Sequence, residues 1–150
     1  CRRMTPTQYY LPECGKDTKE KLGGIADNEA RWEKGEPGDG ELILVAYGIS
    51  SRIASETVRL GREGGLKLGL IRPISLWPFP RKAFSDLPTG LKGFITVEMS
   101  ALGQICEDVA LASRMKAPVY AYLAGDTVPE SDQLLAYARD ILAGKGKEAV

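Results

Sequence analysis

The chain contains no histidine, which removes the commonest general base and metal ligand and leaves carboxylates, lysines, tyrosines and serines for any chemistry. That absence counts against an autonomous enzyme. Cysteine is scarce: Cys1, Cys14 and Cys106 are far apart, odd in number and without a CxxC pair. Neither a disulfide framework nor a zinc or iron–sulfur ligand set is indicated, and a reducing cytoplasm fits best. Neither sign of charge is in excess, since 20 basic residues balance 20 acidic ones. Nothing in the total therefore recruits nucleic acid, an anionic membrane or an acidic substrate. No apolar run reaches the length of a membrane span, the start lacks a signal peptide's apolar segment, and no repeat at a fixed period appears. The chain opens on Cys1, which we read as the start of a fragment.

What is present is a core. At 150 residues, 43% of them hydrophobic, the chain has the size and material of one globular domain. Its organising stretch is ELILVAYGISSR, residues 41–52. Residues 42–47 form a continuous apolar run too short for a helix, as expected of a parallel strand covered on both faces. Gly48 lets the backbone turn sharply, and Ser50 or Ser51 is placed to cap the helix that follows. Such a strand–turn–helix ends in unpaired N–H groups that suit an anion, with Arg52 alongside. There is, however, one glycine where a dinucleotide fingerprint has three, and there is no GK[ST]. An ordinary capped helix start is the competing reading.

Residues 1–40 read as a linker or lead-in segment and 41–150 as the domain. Within the lead-in, residues 16–33 have the spacing of a helix with Leu22, Ile25 and Trp32 near one face. The pair Gly23-Gly24 costs it about 2 kcal/mol of propensity, so a broken or partner-dependent helix is expected. Residues 51–63 form an amphipathic helix with Ile53, Ala54, Thr57, Val58 and Leu60 or Gly61 inward, closed at Gly64-Gly65. A second strand over 66–71 leads into RPISLWPFP, where the prolines force an extended exit before a short helix near 82–87. Trp77 and Phe79 there either plug the helix–sheet interface or form a docking surface. Residues 94–98 are a third strand. Ser100 then caps a third helix with Leu102, Ile105, Cys106, Val109 and Ala112 or Ser113 on one stripe, Cys106 being a core residue. Pro118 stops that helix, residues 119–123 are a fourth strand, and Pro129 leads into a last helix over Ser131–Leu142.

Four strands alternating with four helices predict a three-layer α/β/α domain with a mainly parallel sheet in the order 2-1-3-4. The topological switch then lies between the first and third strands, so residues 48–52 and 98–104 border one crevice. Gly48, Ser50, Ser51, Arg52 and Glu98 are its candidate residues. Glu98, expected to face the cap of Ser50, either accepts backbone N–H groups or orients a ligand.

The motifs VAYGISSR, LGLIRPISLWPFP and ITVEMSALGQICEDV, at the ends of successive strands, resemble the α subunit of the 2-oxoacid:ferredoxin oxidoreductases. The RPxxLWPFP element is the specific part. More narrowly, residues 25–143 are similar to the C-terminal, transketolase-C-like domain of the 2-oxoisovalerate (branched-chain) or 2-oxoglutarate type, and NEARWE at 28–33 resembles the segment leading into it. The last strand–helix connection, AYLAGDTVPES, departs from the family's glycine-rich turn and TPEE, so the last helix starts later or depends on Thr127. The resemblance implies an enzyme that uses thiamine diphosphate, magnesium, iron–sulfur clusters and coenzyme A to convert a 2-oxoacid such as pyruvate to acyl-CoA. It also implies the partners: the upstream domain of the same subunit, the β and other subunits, and ferredoxin through the complex. The family's thiamine-handling residues lie elsewhere, so no catalytic, cofactor-binding or metal residue is assigned here and the domain is expected to be structural. The isolated fragment is expected to self-associate. The alternative is a stand-alone anion- or nucleotide-binding module built on residues 48–52.

Overall fold

The computed structural model describes residues 11–36, 38–125 and 127–149, with side chains from Gly15 onward. A five-stranded sheet is ordered β1-β3-β2-β4-β5. Its strands are β1 (Trp32–Gly35), β2 (Leu42–Ala46), β3 (Leu68–Pro73), β4 (Gly93–Glu98) and β5 (Val119–Leu123). The helices are α1 (Leu11–Asn28), α2 (Ser50–Glu63), α3 (Cys106–Ala112) and α4 (Ser131–Leu142), with a 3-10 turn at Arg81–Phe84. The four parallel strands keep the expected order, with β2 between β3 and β4.

Every residue of β2 and β4 is buried, the condition of parallel strands covered on both faces. On one face Leu42, Leu44, Ile95 and Val97 meet Ala54 and Val58 of α2 and Leu134, Ala138 and Ile141 of α4. On the other, Ile43, Val45 and Phe94 meet Phe84 and Ile105, Cys106 and Val109 around α3. The α2 helix approaches the sheet through Gly61, where a Cβ would overlap Leu68 Cδ1. Gly65 closes that helix in the left-handed region at φ 82°.

Several expectations are corrected. Trp32 is not helical: it opens β1, which pairs antiparallel with β3 from Trp32 opposite Pro73 to Gly35 opposite Leu70. The reason is local. Ile74 and Ser75 donate their backbone N–H groups to the Arg31 carbonyl, and the Arg31 N–H donates to Ser75 Oγ, drawing the segment onto the sheet edge where an aromatic residue fits. Proline at the strand's end has no N–H to lose there. The helix before it, α1, runs unbroken through Gly23 and Gly24. Asn28 Nδ2 holds its last turn by donating to the Gly24 carbonyl at 2.8 Å. The third helix begins at Cys106, and Ser100 does not cap it; its Oγ accepts the Leu102 N–H at 3.2 Å within a turn. Leu102 is consequently off the helical stripe and 83% exposed. The last helix starts at Ser131 after an extended Glu130, while Thr127 Oγ1 donates to the Ala124 carbonyl instead of capping.

No described helix is long and apolar enough to cross a membrane. Cys1, and the side chain of Cys14, lie outside the described residues; Cys106 is a free, buried thiol.

Candidate functional site

The strand order puts the carboxyl ends of β2 and β4 side by side, with Ala46 opposite Val97. Gly48 makes the turn after β2 at φ 56°. Ser50 and Ser51 are both buried, and neither caps α2 through its side chain. The Ser51 hydroxyl points backward and donates to the Gly48 carbonyl at 2.7 Å, so it closes the turn instead of capping the helix. Arg52 is exposed in the first turn of α2 and enters no ion pair found among the described residues.

Glu98, at the end of β4, is fully buried. Its two carboxylate oxygens accept backbone N–H groups, from Gln104 at 3.0 Å and from Ile105 at 3.2 Å. Glu98 therefore does for the start of α3 what Ser100 does not, by accepting orphan N–H groups ahead of the first turn. The Tyr47 hydroxyl lies beside the carboxylate and favours its charged form. Burial pushes the Glu98 carboxyl above its ordinary range, against the pull of those donors. The Tyr47 phenol is raised as well, chiefly by burial and then by the Glu98 charge. Beside them, Thr96 Oγ1 and Cys106 Sγ share a buried hydrogen bond at 3.0 Å, and burial pushes the Cys106 thiol up. Such a thiol is inert rather than nucleophilic. Tyr47 and Thr96 were not candidates in the sequence. Tyr47 reads there as the last apolar residue of a strand, and only its position opposite Glu98 reveals the role of its hydroxyl.

The LWPFP element separates its two aromatics. Phe79 is half-buried and stacks on Phe84 with ring centroids 5.9 Å apart, and Phe84 in turn meets Phe94 at 5.8 Å. Phe79 thus plugs the interface. Trp77 is 64% exposed, with Ile74 and Leu76 also exposed. It faces a groove of about 840 Å³ whose opposite wall is α1, including Leu22. Among the described residues no group of three His, Cys, Asp or Glu side chains could hold a metal ion.

The strand order and the two covered faces define a layered α/β domain with a mainly parallel sheet. Residues 40–130 match the model of the pyruvate:ferredoxin oxidoreductase core domain II, and the chain belongs to that family. It is 40% identical over 130 residues to the ketoisovalerate oxidoreductase subunit VorB of Methanothermobacter marburgensis, covering 87% of this chain and 36% of that protein. It is 37% identical over 114 residues to the 2-oxoglutarate synthase subunit KorA of Methanocaldococcus jannaschii, covering 71% of this chain and 30% of that protein. The chain thus spans about a third of the length of these relatives. In fold it is similar to the 2-oxoglutarate:ferredoxin oxidoreductase from Magnetococcus marinus, solved with 2-oxoglutarate, coenzyme A and succinyl-CoA bound. That match has a TM-score of 0.70 at 18% identity over 92% of this chain and 24% of the other. A split-gene transketolase in an inactive beta4 tetramer matches with a TM-score of 0.56 at 21% identity, over 77% of this chain and 40% of the other.

Proposed function

We propose that the chain is an assembly domain of a thiamine-diphosphate-dependent 2-oxoacid:ferredoxin oxidoreductase, contributing packing surface rather than reacting groups to the oxidative decarboxylation of a 2-oxoacid to acyl-CoA. The observation that carries this reading is the contrast between two neighbouring places on the carboxyl edge of the sheet. At the switch point the Ser51 hydroxyl and both Glu98 oxygens are already engaged by this chain's own backbone. Leu76 and Trp77, by contrast, stand exposed along an open groove, with Ile74 exposed before them in the chain, the sort of apolar patch that marks a contact face. The occupant we assign is the remainder of the subunit, since the match covers only 36% and 30% of these relatives. Phe79 anchors the element and Trp77 reaches the neighbour. Further subunits, and ferredoxin through them, complete the partners, in the cytoplasm. The relatives' names support 2-oxoisovalerate or 2-oxoglutarate as the substrate.

Thiamine diphosphate requires a magnesium ion held by oxygen ligands beside its diphosphate, and the described residues offer no such cluster. They do not fit the cofactor, so no step is derived through it; iron–sulfur clusters and coenzyme A belong equally to the rest of the enzyme. Calorimetry with thiamine diphosphate and magnesium tests this: binding by the 150-residue chain no tighter than millimolar is expected, and micromolar binding overturns the assembly reading. The second reading, an anion-binding module, is favoured by Arg52, exposed at the first turn of α2 and in no ion pair among the described residues. Chemical-shift changes on adding phosphate that cluster at residues 48–52 support it, and changes spread evenly over the surface remove it.

A further inference from the structure

We propose that the basic groove between the 3-10 turn Arg81–Phe84 and the end of α3 is a contact surface for an acidic protein segment, one carrying several Asp or Glu side chains around an apolar residue. The groove, about 670 Å³, is lined by Arg81, Lys82, Arg114 and Lys116 with no carboxylate among its lining residues, in a chain of zero net charge. Several cations elsewhere find partners: Arg59 with Glu56 and Glu63, Arg62 with Asp39, Arg72 with Glu33, Lys92 with Glu41. The four groove cations are exposed and enter none of the ion pairs found among the described residues. Like charges gathered in one concavity raise the local potential and favour whatever polyanion covers them.

The backbone is shaped to present them. Arg114 and Met115 sit in the left-handed region at φ 56° and 51°, an unfavourable conformation for side-chain-bearing residues that persists only where the surroundings enforce it. Here the Met115 N–H donates to the Ala110 carbonyl at 2.9 Å and the Ser113 hydroxyl to the same carbonyl at 3.1 Å. The turn places Arg114 and Lys116 on the groove wall, and Lys116 Nζ donates to the Leu87 carbonyl at 3.3 Å. Leu111 and Met115, 66% and 70% exposed, lie in and beside the same turn. Cations flanked by exposed apolar side chains match a protein partner better than a free inorganic anion. This surface adds a partner chemistry to the proposed function and depends on it only in placing the partner within the same assembly.

Carbodiimide coupling tests it, because the reagent joins a lysine amine to a carboxylate in direct contact. The assembly containing the full-length subunit is treated and its cross-links are mapped by mass spectrometry, with Lys92 and Glu41, 2.5 Å apart, as the internal control. The expected result is Lys82 and Lys116 joined to one segment that carries two or more acidic residues close together. Arg81→Glu with Arg114→Glu should lower those links several-fold, Arg81→Lys with Arg114→Lys should retain them, and both double variants should melt as the parent does. The proposal is overturned if Lys82 and Lys116 stay unlinked while Lys92 couples to Glu41, or if they couple to scattered carboxylates. It is also overturned if inorganic tripolyphosphate alone shields them and no segment is found. An assembly that gives the expected links but lacks 2-oxoacid activity defeats the functional reading and leaves this contact standing.

Discussion

Glu98 Oε2 accepts the backbone N–H of Gln104 at 3.0 Å, so a carboxylate at the end of a central strand organises the loop that starts the next helix. Glu98→Ala removes the acceptor for Gln104 and for Ile105 and leaves the buried Ile105 N–H unpaired, a loss of about 1–3 kcal/mol. Chemical denaturation of the two proteins measures it.

The same residue sets a pH dependence. Its folded value is raised, chiefly by burial, so the folded state binds the proton more tightly than the unfolded chain. Stability linked to Glu98 is therefore fully present below the unfolded carboxylate value, about 4.3, and is lost as pH rises through the folded value. Glu98→Gln, isosteric with the protonated acid, lacks this titration. Its stability relative to the parent should rise with pH from about 4 upward. Comparing the two cancels the exposed acids Asp39, Glu41 and Glu56, whose values are lowered by Arg62, Lys92 and Arg59 respectively. A relative stability that falls with pH would contradict the direction assigned to Glu98.

Gly48 has no atom within 4 Å of where a Cβ would stand, yet its φ is 56°, so a substitution there meets backbone strain and not a clash. Gly48→Val should cost about 1–3 kcal/mol and Gly48→Asn, which tolerates this region, clearly less. Thermal melts of the pair check it; equal losses would mean that the turn relaxes to ordinary angles.

These predictions mark where the sequence was legible. The apolar runs of β2 and β4, the glycine turn and the proline stop were enough to find the parallel strands, because burial on both faces writes itself as continuous hydrophobicity. The edge strand β1 was not legible. Trp32 fits a helical face as well as a strand, and its placement depends on Arg31 meeting Ser75, 44 positions away. Ser100 illustrates the same limit at the candidate site: a serine before an apolar stripe is a fair cap, but the longer Glu98 side chain from the strand reaches the helix start instead. Arg62 shows it too: its Nε donates to the Leu68 carbonyl at 2.7 Å, a contact that only the tertiary fold supplies.

The proline-rich element allows a paired comparison. Phe79→Ala, which removes a ring stacked on Phe84, should destabilise the fold by about 2–4 kcal/mol. Trp77→Ala, at a side chain 64% exposed, should change it by no more than about 0.5 kcal/mol. Urea titration of both variants checks the division of labour between plug and contact.

The most direct test of the assembly role is to place Trp77→Ala in the full-length subunit, combine it with its partner subunits, and measure the fraction assembled together with kcat per assembled complex. The account predicts that assembly weakens at least several-fold, while complexes that do form, separated by size, keep kcat within about twofold of the parent. Normal assembly with kcat reduced a hundredfold would contradict it and would place this domain within the chemistry.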